Sequence, residues 1–372
     1  MSPRLLSAAL CALSACLPVS AALAADAIVI GQSAPLTGGN AEFGNEIRKG
    51  ALAYFNKINA AGGIGGRKIE LVTLDDKNDR KKAGENAAKL VNEEKAVALF
   101  GFASATLSLD AMPLVAEKKV PFFAPFTGAD VMRKQSPYVF TMRASYEEEL
   151  AKILTFWSSL GVQRITVVHY DDEVGHQNFK TVGIFMDKAG KRSTGVKIKR
   201  NAAVGPETYE QIINSDPQIV VITTLFGPAA EIVKELNKRN KPFMYSSLSF
   251  VGASQLAKAG GADASGVSVA SVVPLPSNTT IPIVKECDEA LKKIDGGKLT
   301  FTSLEACISA KVLVEAIKRA GKEVSRDSLY KGLQAIGTQD IGGFIVSFGP
   351  NDHHGSGYVD LTVISKNGGF KS

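Results

Sequence analysis

The sequence predicts an α/β protein of two Rossmann-like lobes, and three observations carry that expectation. Short apolar runs such as Ala96–Phe100 and Arg164–Tyr170 have the length and side-chain content of buried parallel strands. Amphipathic helical stretches follow them, so strand and helix alternate. The alternation occupies residues 27–128 and restarts after Arg143, and 372 residues at 45% hydrophobic content supply enough apolar surface for two cores.

The elements follow in order. Ala27–Ser33 reads as a strand, Ala34–Gly44 as a Gly-rich loop, and Asn45–Ala61 as a helix whose Ile47, Ala51, Tyr54, Phe55 and Ile58 share one face. Gly62–Gly66 stops that helix. Lys68–Asp75 is a strand and Arg80–Glu94 a helix. Ala96–Phe100 then ends at Gly101. Ser104-Ala105-Thr106 stand where a helix N-cap belongs, and the helix is expected to run to about Lys119. Val120–Ala124 is the next strand and Pro125–Gly128 the next loop. In an open parallel sheet, loops at this edge meet ligands, and helix N-termini there favour carboxylates.

The second unit opens with a helix at Glu147–Leu160. Strands are expected at Arg164–Tyr170, Val196–Arg200, Gln218–Thr223 and Pro242–Ser246. Helices are expected at Gly175–Gly190, Tyr209–Asn214 and Ala229–Asn240. Ile281–Leu333 is rich in helix. Ile341–Phe348 and Tyr358–Ile364 read as two strands around the turn Gly349–Gly357.

Met1–Ala25 has an early Arg4, an apolar core and small residues at Ala22 and Ala24, the pattern of a secretory signal peptide. Leu13-Ser14-Ala15-Cys16 resembles a lipoprotein box. The apolar continuation after Cys16 and the second site at Ala22–Ala24 favour soluble release to the periplasm. No stretch reaches the length of a spanning helix. Cys287 and Cys307 lie in predicted helices joined by a Gly-containing loop. In an oxidising compartment they can pair, and two buried thiols are the other reading.

Forty-three basic and 37 acidic residues give a net charge of +6, too mild and too scattered for a nucleic-acid surface. The sequence has no GxSxG, HExxH or GxxxxGK[ST] string and no GxGxxG after a strand, so the expected protein is no enzyme and takes no cofactor. Without CxxC, and with His353-His354 as the one close histidine pair, no metal site is expected. His169 and His176 flank Asp171 and Asp172, but sequence neighbours on a strand end and a loop seldom converge as acid–base machinery.

Four strings resemble the periplasmic solute-binding proteins of branched-chain amino acid (leucine/isoleucine/valine) ABC transporters. They are GQSAPLTGGNAEFGNEIRKGALAYFNKINAAGGIGGRKIELVTLDD (Gly31–Asp76), VPFFAPFTGAD (Val120–Asp130), SFVGASQLAKAG (Ser249–Gly260) and DIGGFIVSFGPNDHHGS (Asp340–Ser356). The resemblance implies a type I periplasmic-binding-protein fold, with two lobes joined by three hinge crossovers. It implies residues 26–144 and 272–349 in lobe 1, and 145–271 and 350–372 in lobe 2. It also implies a monomer that shuts on one small-molecule ligand and delivers it to an inner-membrane ABC permease. A ligand-sensing domain of the same fold, serving a signalling receptor, is the alternative.

Carried over position by position, the resemblance places ligand contacts at Phe43, at Ser104, Ala105 and Thr106, and at Phe126 and Thr127. In lobe 2 it places them at Asp172, Val174, Phe226 and Ser247. Ala105 and Val174 stand where the family's pattern has a hydroxyl and a tyrosine. Ser247 stands near the acidic residue that pairs with an amino acid's ammonium. A buried ammonium without an anionic partner is costly. The ligand is therefore expected to be either an amino acid that finds its partner at Asp171 or Asp172, or a small carboxylic acid, including an aromatic one.

Overall fold

The computed structural model describes residues 26–372 except 135, 242 and 296. The signal-peptide and Cys16 expectations lie outside the described residues. Lobe 1 begins with β1 (Ile28–Ala34), α1 (Ala41–Ala60), β2 (Ile69–Asp75), α2 (Arg80–Asn92) and β3 (Ala98–Phe100). It continues through α3 (Ala105–Ser108), α4 (Met112–Lys118), β4 (Phe122–Phe123), α5 (Asp130–Lys134) and β5 (Val139–Phe140). Lobe 2 runs through α6 (Tyr146–Ser159), β6 (Arg164–Tyr170), α7 (Glu173–Lys188), β7 (Arg192–Ile198) and α8 (Pro206–Asn214). It goes on with β8 (Ile219–Ile222), α9 (Phe226–Lys238), β9 (Met244–Ser247), α10 (Ala253–Gly260) and β10 (Ser268–Ser271). The chain then makes α11 (Pro282–Asp295), α12 (Phe301–Ala320), α13 (Arg326–Gln334), β11 (Gly337–Asp340) and β12 (Ile345–Phe348), and finishes with β13 (Asp360–Ile364) and β14 (Phe370–Lys371).

The lobe 1 sheet has the order β2-β1-β3-β4-β5 and is parallel throughout. The lobe 2 sheet has the order β14-β13-β10-β9-β8-β6-β7, with β6 to β10 parallel and β13 and β14 antiparallel at one edge. In both sheets the chain reverses direction around one strand: β1 lies between β2 and β3, and β6 between β7 and β8. The crevice beside such a reversal, at the carboxyl ends of the strands, is where ligands bind in doubly wound sheets.

Three passages join the lobes, between β5 and α6, between β10 and α11, and between β12 and β13. The first and third run side by side. Thr141 N–H donates to His353 O at 2.9 Å and Gly355 N–H donates to Thr141 O at 2.7 Å. The helices after β10 return to lobe 1, where α12 packs along α1. This contact is close because α1 carries Gly50, where a Cβ would lie 2.1 Å from the Ser303 carbonyl oxygen. Cys287 of α11 and Cys307 of α12 are joined by a disulfide with Cα atoms 6.0 Å apart, so the paired reading holds.

Several expectations are corrected. The single helix to Lys119 is three pieces: α3, a 3₁₀ turn at Leu109–Ala111, and α4, with Pro113 in its first turn. Pro lacks the amide hydrogen a continuous helix needs there. The strand expected at Val196–Arg200 is Arg192–Ile198, because its register follows β6 residue for residue from Arg164↔Arg192 to Tyr170↔Ile198. Arg200 is thereby left beyond the strand end. Ile345–Phe348 pairs with β11, turning at Gly342 and Gly343, which have φ of +113° and +83°. The strand after Tyr358 belongs to the other sheet.

Candidate functional site

A small cavity of about 10 Å³, room for about one water molecule, lies between the lobes at the carboxyl ends of the strands. Lobe 1 contributes Ser104, Ala105, Thr106 and Thr127, the loops after β3 and β4. Lobe 2 contributes Tyr170, Asp172, Val174, Gly175, Asn178, Arg200, Thr223 and Phe250. Tyr146, at the start of α6, completes the wall. A neighbouring cavity of about 40 Å³ shares Tyr146, Val174 and Asn178.

Ser104 caps α3. Its backbone is extended and its Oγ accepts from Leu107 N–H at 3.2 Å. This is the cap that the Ser104-Ala105-Thr106 string predicts. Thr127 Oγ1 accepts from Ala129 N–H at 3.1 Å and donates to Tyr146 Oη at 3.2 Å. Burial raises the Tyr146 phenol to about 12, so it stays protonated and neutral.

Across the cleft, Asp172 caps α7 by accepting from Gly175 N–H at 2.9 Å. The turn can be this tight because Gly175 has no side chain, and a Cβ would sit 2.0 Å from the Tyr170 carbonyl oxygen. Asp172 Oδ2 also accepts from Arg200 Nη2 at 2.8 Å and from Thr106 Oγ1 of the opposite lobe at 3.1 Å. Burial would raise this carboxyl. The Arg200 charge and the hydrogen bonds outweigh it and hold the group below the usual carboxylate range. The Arg200 guanidinium carbon lies 4.1 Å from the centre of the Tyr170 ring.

Polar contacts at the rim hold the lobes together. Asn78 Nδ2 donates to Asn201 Oδ1 at 2.6 Å, and Asn201 Nδ2 to Asn78 O at 3.0 Å. Arg80 reaches Asp110 in its own lobe at 2.7 Å and Glu173 in the other at 3.2 Å. Lys258 pairs with Glu42 at 3.1 Å. In this conformation the two lobes are in direct contact across the cleft.

Of the ten residues singled out from sequence, the fold brings six together at this cavity: Ser104, Ala105, Thr106, Thr127, Asp172 and Val174. The other four lie elsewhere. Phe43 and Phe126 are core residues, packed edge-to-face with ring centres 6.3 Å apart, and Phe43 also meets Phe250 at 6.0 Å. Phe226 is the buried first residue of α9 and does not face the cavity. Ser247 is buried and its hydroxyl donates to the Ile222 carbonyl. The aromatic surface comes instead from Tyr146, Tyr170 and Phe250.

Sequence reasoning missed Arg200 because Lys197-Ile198-Lys199-Arg200 reads as a solvated basic strand end. Its stacking on Tyr170 appears only when β6 and β7 pair. His169 is buried against Phe179, and His176 pairs with the exposed Asp171 at 2.7 Å. Neither histidine lines the cavity. Among the described residues no group of three or more His, Cys, Asp and Glu is placed to hold a metal ion.

Two lobes on parallel sheets, three passages between them, and a small cavity at the facing strand ends define a solute-binding clamshell. The sequence from 27 to 369 matches the family described as periplasmic binding protein, and the chain belongs to that family, in its branched-chain amino acid type. The structure superimposes on a substrate-binding periplasmic protein from Ralstonia solanacearum with a TM-score of 0.87 and 30% identity, covering 92% of this chain and 99% of that one. An "amino acid binding protein" of Pseudomonas aeruginosa is 26% identical over 240 residues, a match that spans 63% of each chain. A "Leu/Ile/Val-binding protein homolog 3" of Brucella melitensis is 24% identical over 362 residues, 91% of this chain and 92% of that one. The family is periplasmic, and no helix among the described residues is long and apolar enough to cross a membrane.

Proposed function

We propose that this protein is the extracytoplasmic solute-binding component of an ABC importer. It closes its two lobes on one small carboxylate-bearing ligand, a carboxylic acid or an amino acid, and hands it unchanged to an inner-membrane permease. One observation carries this reading: the hydroxyl-bearing loop Ser104–Thr106 and Thr127 of lobe 1 face Tyr170, Asp172 and Arg200 of lobe 2 across the cavity between the lobes. A ligand there touches both lobes only when they are shut, and such differential contact is what shifts a protein toward its closed state. The position of His169 and His176 outside the cavity supports binding without turnover.

The test is a thermal-shift screen of the purified protein against amino acids and small aliphatic and aromatic acids. A ligand present at a hundred times its Kd adds about 2.7 kcal/mol of stability, so a true ligand raises the melting temperature in proportion to the logarithm of its concentration. Recovery of that compound unchanged after prolonged incubation is the expected result. Its conversion to product would overturn the binding-protein reading.

A further inference from the structure

We infer that Arg200 is the lobe 2 receptor for a carboxylate of the ligand, which bridges Arg200 and the Ser104–Thr106 loop, and that Asp172 positions Arg200 rather than pairing with an ammonium. The inference rests on the solute-binding reading and deepens it.

The hydrogen-bonding of the two side chains is the argument. Asp172 is fully engaged: Oδ1 takes the Gly175 amide, and Oδ2 takes Arg200 Nη2 and the Thr106 hydroxyl. An ammonium reaching it would have to displace Arg200 and leave a buried guanidinium without its counter-charge, an expensive exchange. Arg200 is under-used. Its Nε and Nη1 are buried and have no acceptor among the described residues. Buried N–H groups are nearly always paired, so donors left over at a cavity wall call for an acceptor that the chain does not supply. The Tyr170 ring lies against the guanidinium, 4.1 Å from its carbon to the ring centre, a cation–π contact that favours this placement. Arg200 Nη2 lies 3.5 Å from Thr106 Oγ1, so one carboxylate can touch both lobes at once. Among the described residues, Asp172 and Arg200 are the only charged side chains lining this cavity and they neutralise each other, so these residues set no second negative charge against an incoming anion.

The test uses the smallest probes of each chemistry. The Arg200 Nε–Hε resonance of the purified protein, assigned by its loss in Arg200→Met, is followed by ¹⁵N NMR at constant ionic strength. Acetate is expected to shift it saturably, while acetamide and methylammonium leave it in place. Silence toward acetate, or an equal response to acetamide, overturns the assignment of Arg200. Asp172→Ala, which leaves Arg200 Nη2 without its partner, is expected to weaken acetate at least ~10-fold, and Asp172→Asn, which keeps an oxygen acceptor there, to recover part of that loss. A methylammonium response in the native protein that Asp172→Asn abolishes would overturn the positioning role and make Asp172 the ammonium partner. Any acid found in the thermal-shift screen is expected to lose at least ~10-fold in affinity on Arg200→Gln, a loss of about 1.4 kcal/mol. An acid whose affinity is unchanged by Arg200→Gln overturns the inference and leaves the solute-binding reading standing. A screen without a ligand beside a saturable acetate response does the reverse.

Discussion

Arg143 and Glu305 form a two-pronged ion pair inside the protein, with Nε to Oε1 at 2.7 Å and Nη2 to Oε2 at 2.5 Å. Arg143 belongs to the first passage between the lobes and Glu305 to α12, so the pair fixes the hinge to lobe 1. Arg143 Nη1 also donates to Ser249 Oγ of lobe 2 at 3.2 Å. Removing one partner of a buried pair leaves the other charge without compensation, at a cost of about 3–5 kcal/mol. Arg143→Met is therefore expected to lower the melting temperature by several degrees. A variant that melts like the native protein would remove this pair from the hinge's supports.

Glu149 gives a pH dependence. Burial lifts its carboxyl from the usual 4.5 to about 7, against the opposing pull of Arg143 and the Ser249 hydrogen bonds at 2.7 and 2.8 Å. Burial lifts Asp76 to about 6 in the same way. A carboxyl whose pKa is raised on folding holds a proton that the unfolded chain has lost. Stability from these groups therefore falls as pH rises through 4.5 to 7, and levels off above. Melting curves between pH 5 and 8 should show the decline, and Glu149→Gln should flatten it and melt higher than the native protein at pH 8. An unchanged slope in Glu149→Gln would assign the dependence to other groups.

Thr106→Val removes both a cavity hydroxyl and the cross-lobe bond to Asp172. With a charge-assisted hydrogen bond contributing about 1.5–3 kcal/mol, it is expected to weaken ligand binding by ~10- to 100-fold. Ser104→Ala should weaken binding similarly and also cost about 1 kcal/mol of stability through the lost cap. Calorimetric titration measures the first effect and thermal melting the second. Binding indifferent to both changes would move the carboxylate away from this loop.

Ser247→Glu is a fold-breaking change rather than a specificity change. From sequence, an acid at this position is expected to favour amino acids. In the structure the hydroxyl is committed to the Ile222 carbonyl inside the sheet, away from the cavity. A carboxylate there is buried without a partner, so the variant should melt well below the native protein or fail to accumulate. A stable Ser247→Glu protein with improved amino-acid binding would restore the sequence-based expectation.

Reduction of Cys287–Cys307, or the double change to alanine, should lower stability by up to about 3 kcal/mol while leaving the cleft unaltered, since the bridge closes a short loop within α11 and α12. Melting with and without a thiol reductant measures this, and an equal melting temperature would mean that the bridge adds nothing.

Much of the fold was legible because burial writes itself into local patterns. β6 falls where the run Arg164–Tyr170 places it, since a strand covered on both faces is mostly apolar and β-branched. The Ser104 cap is equally local. Features that depend on partners distant in sequence were not legible. The end of β7 is set by β6, and the role of Arg200 by Tyr170 and Asp172. Phe43 and Phe226 were expected at the pocket because the resemblance places ligand contacts there. Burial against other hydrophobic groups decides their place, and that is invisible one residue at a time.

The connectivity has a consequence for synthesis. The lobe 1 core needs α12 against α1, and the lobe 2 sheet takes its edge strands from the last thirteen residues. Neither lobe can therefore be finished by a chain still emerging from its N-terminus. Pairings this distant in sequence form slowly. The growing polypeptide thus lacks a complete lobe 2 sheet until residues 360–371 have been made, long after the strands they join.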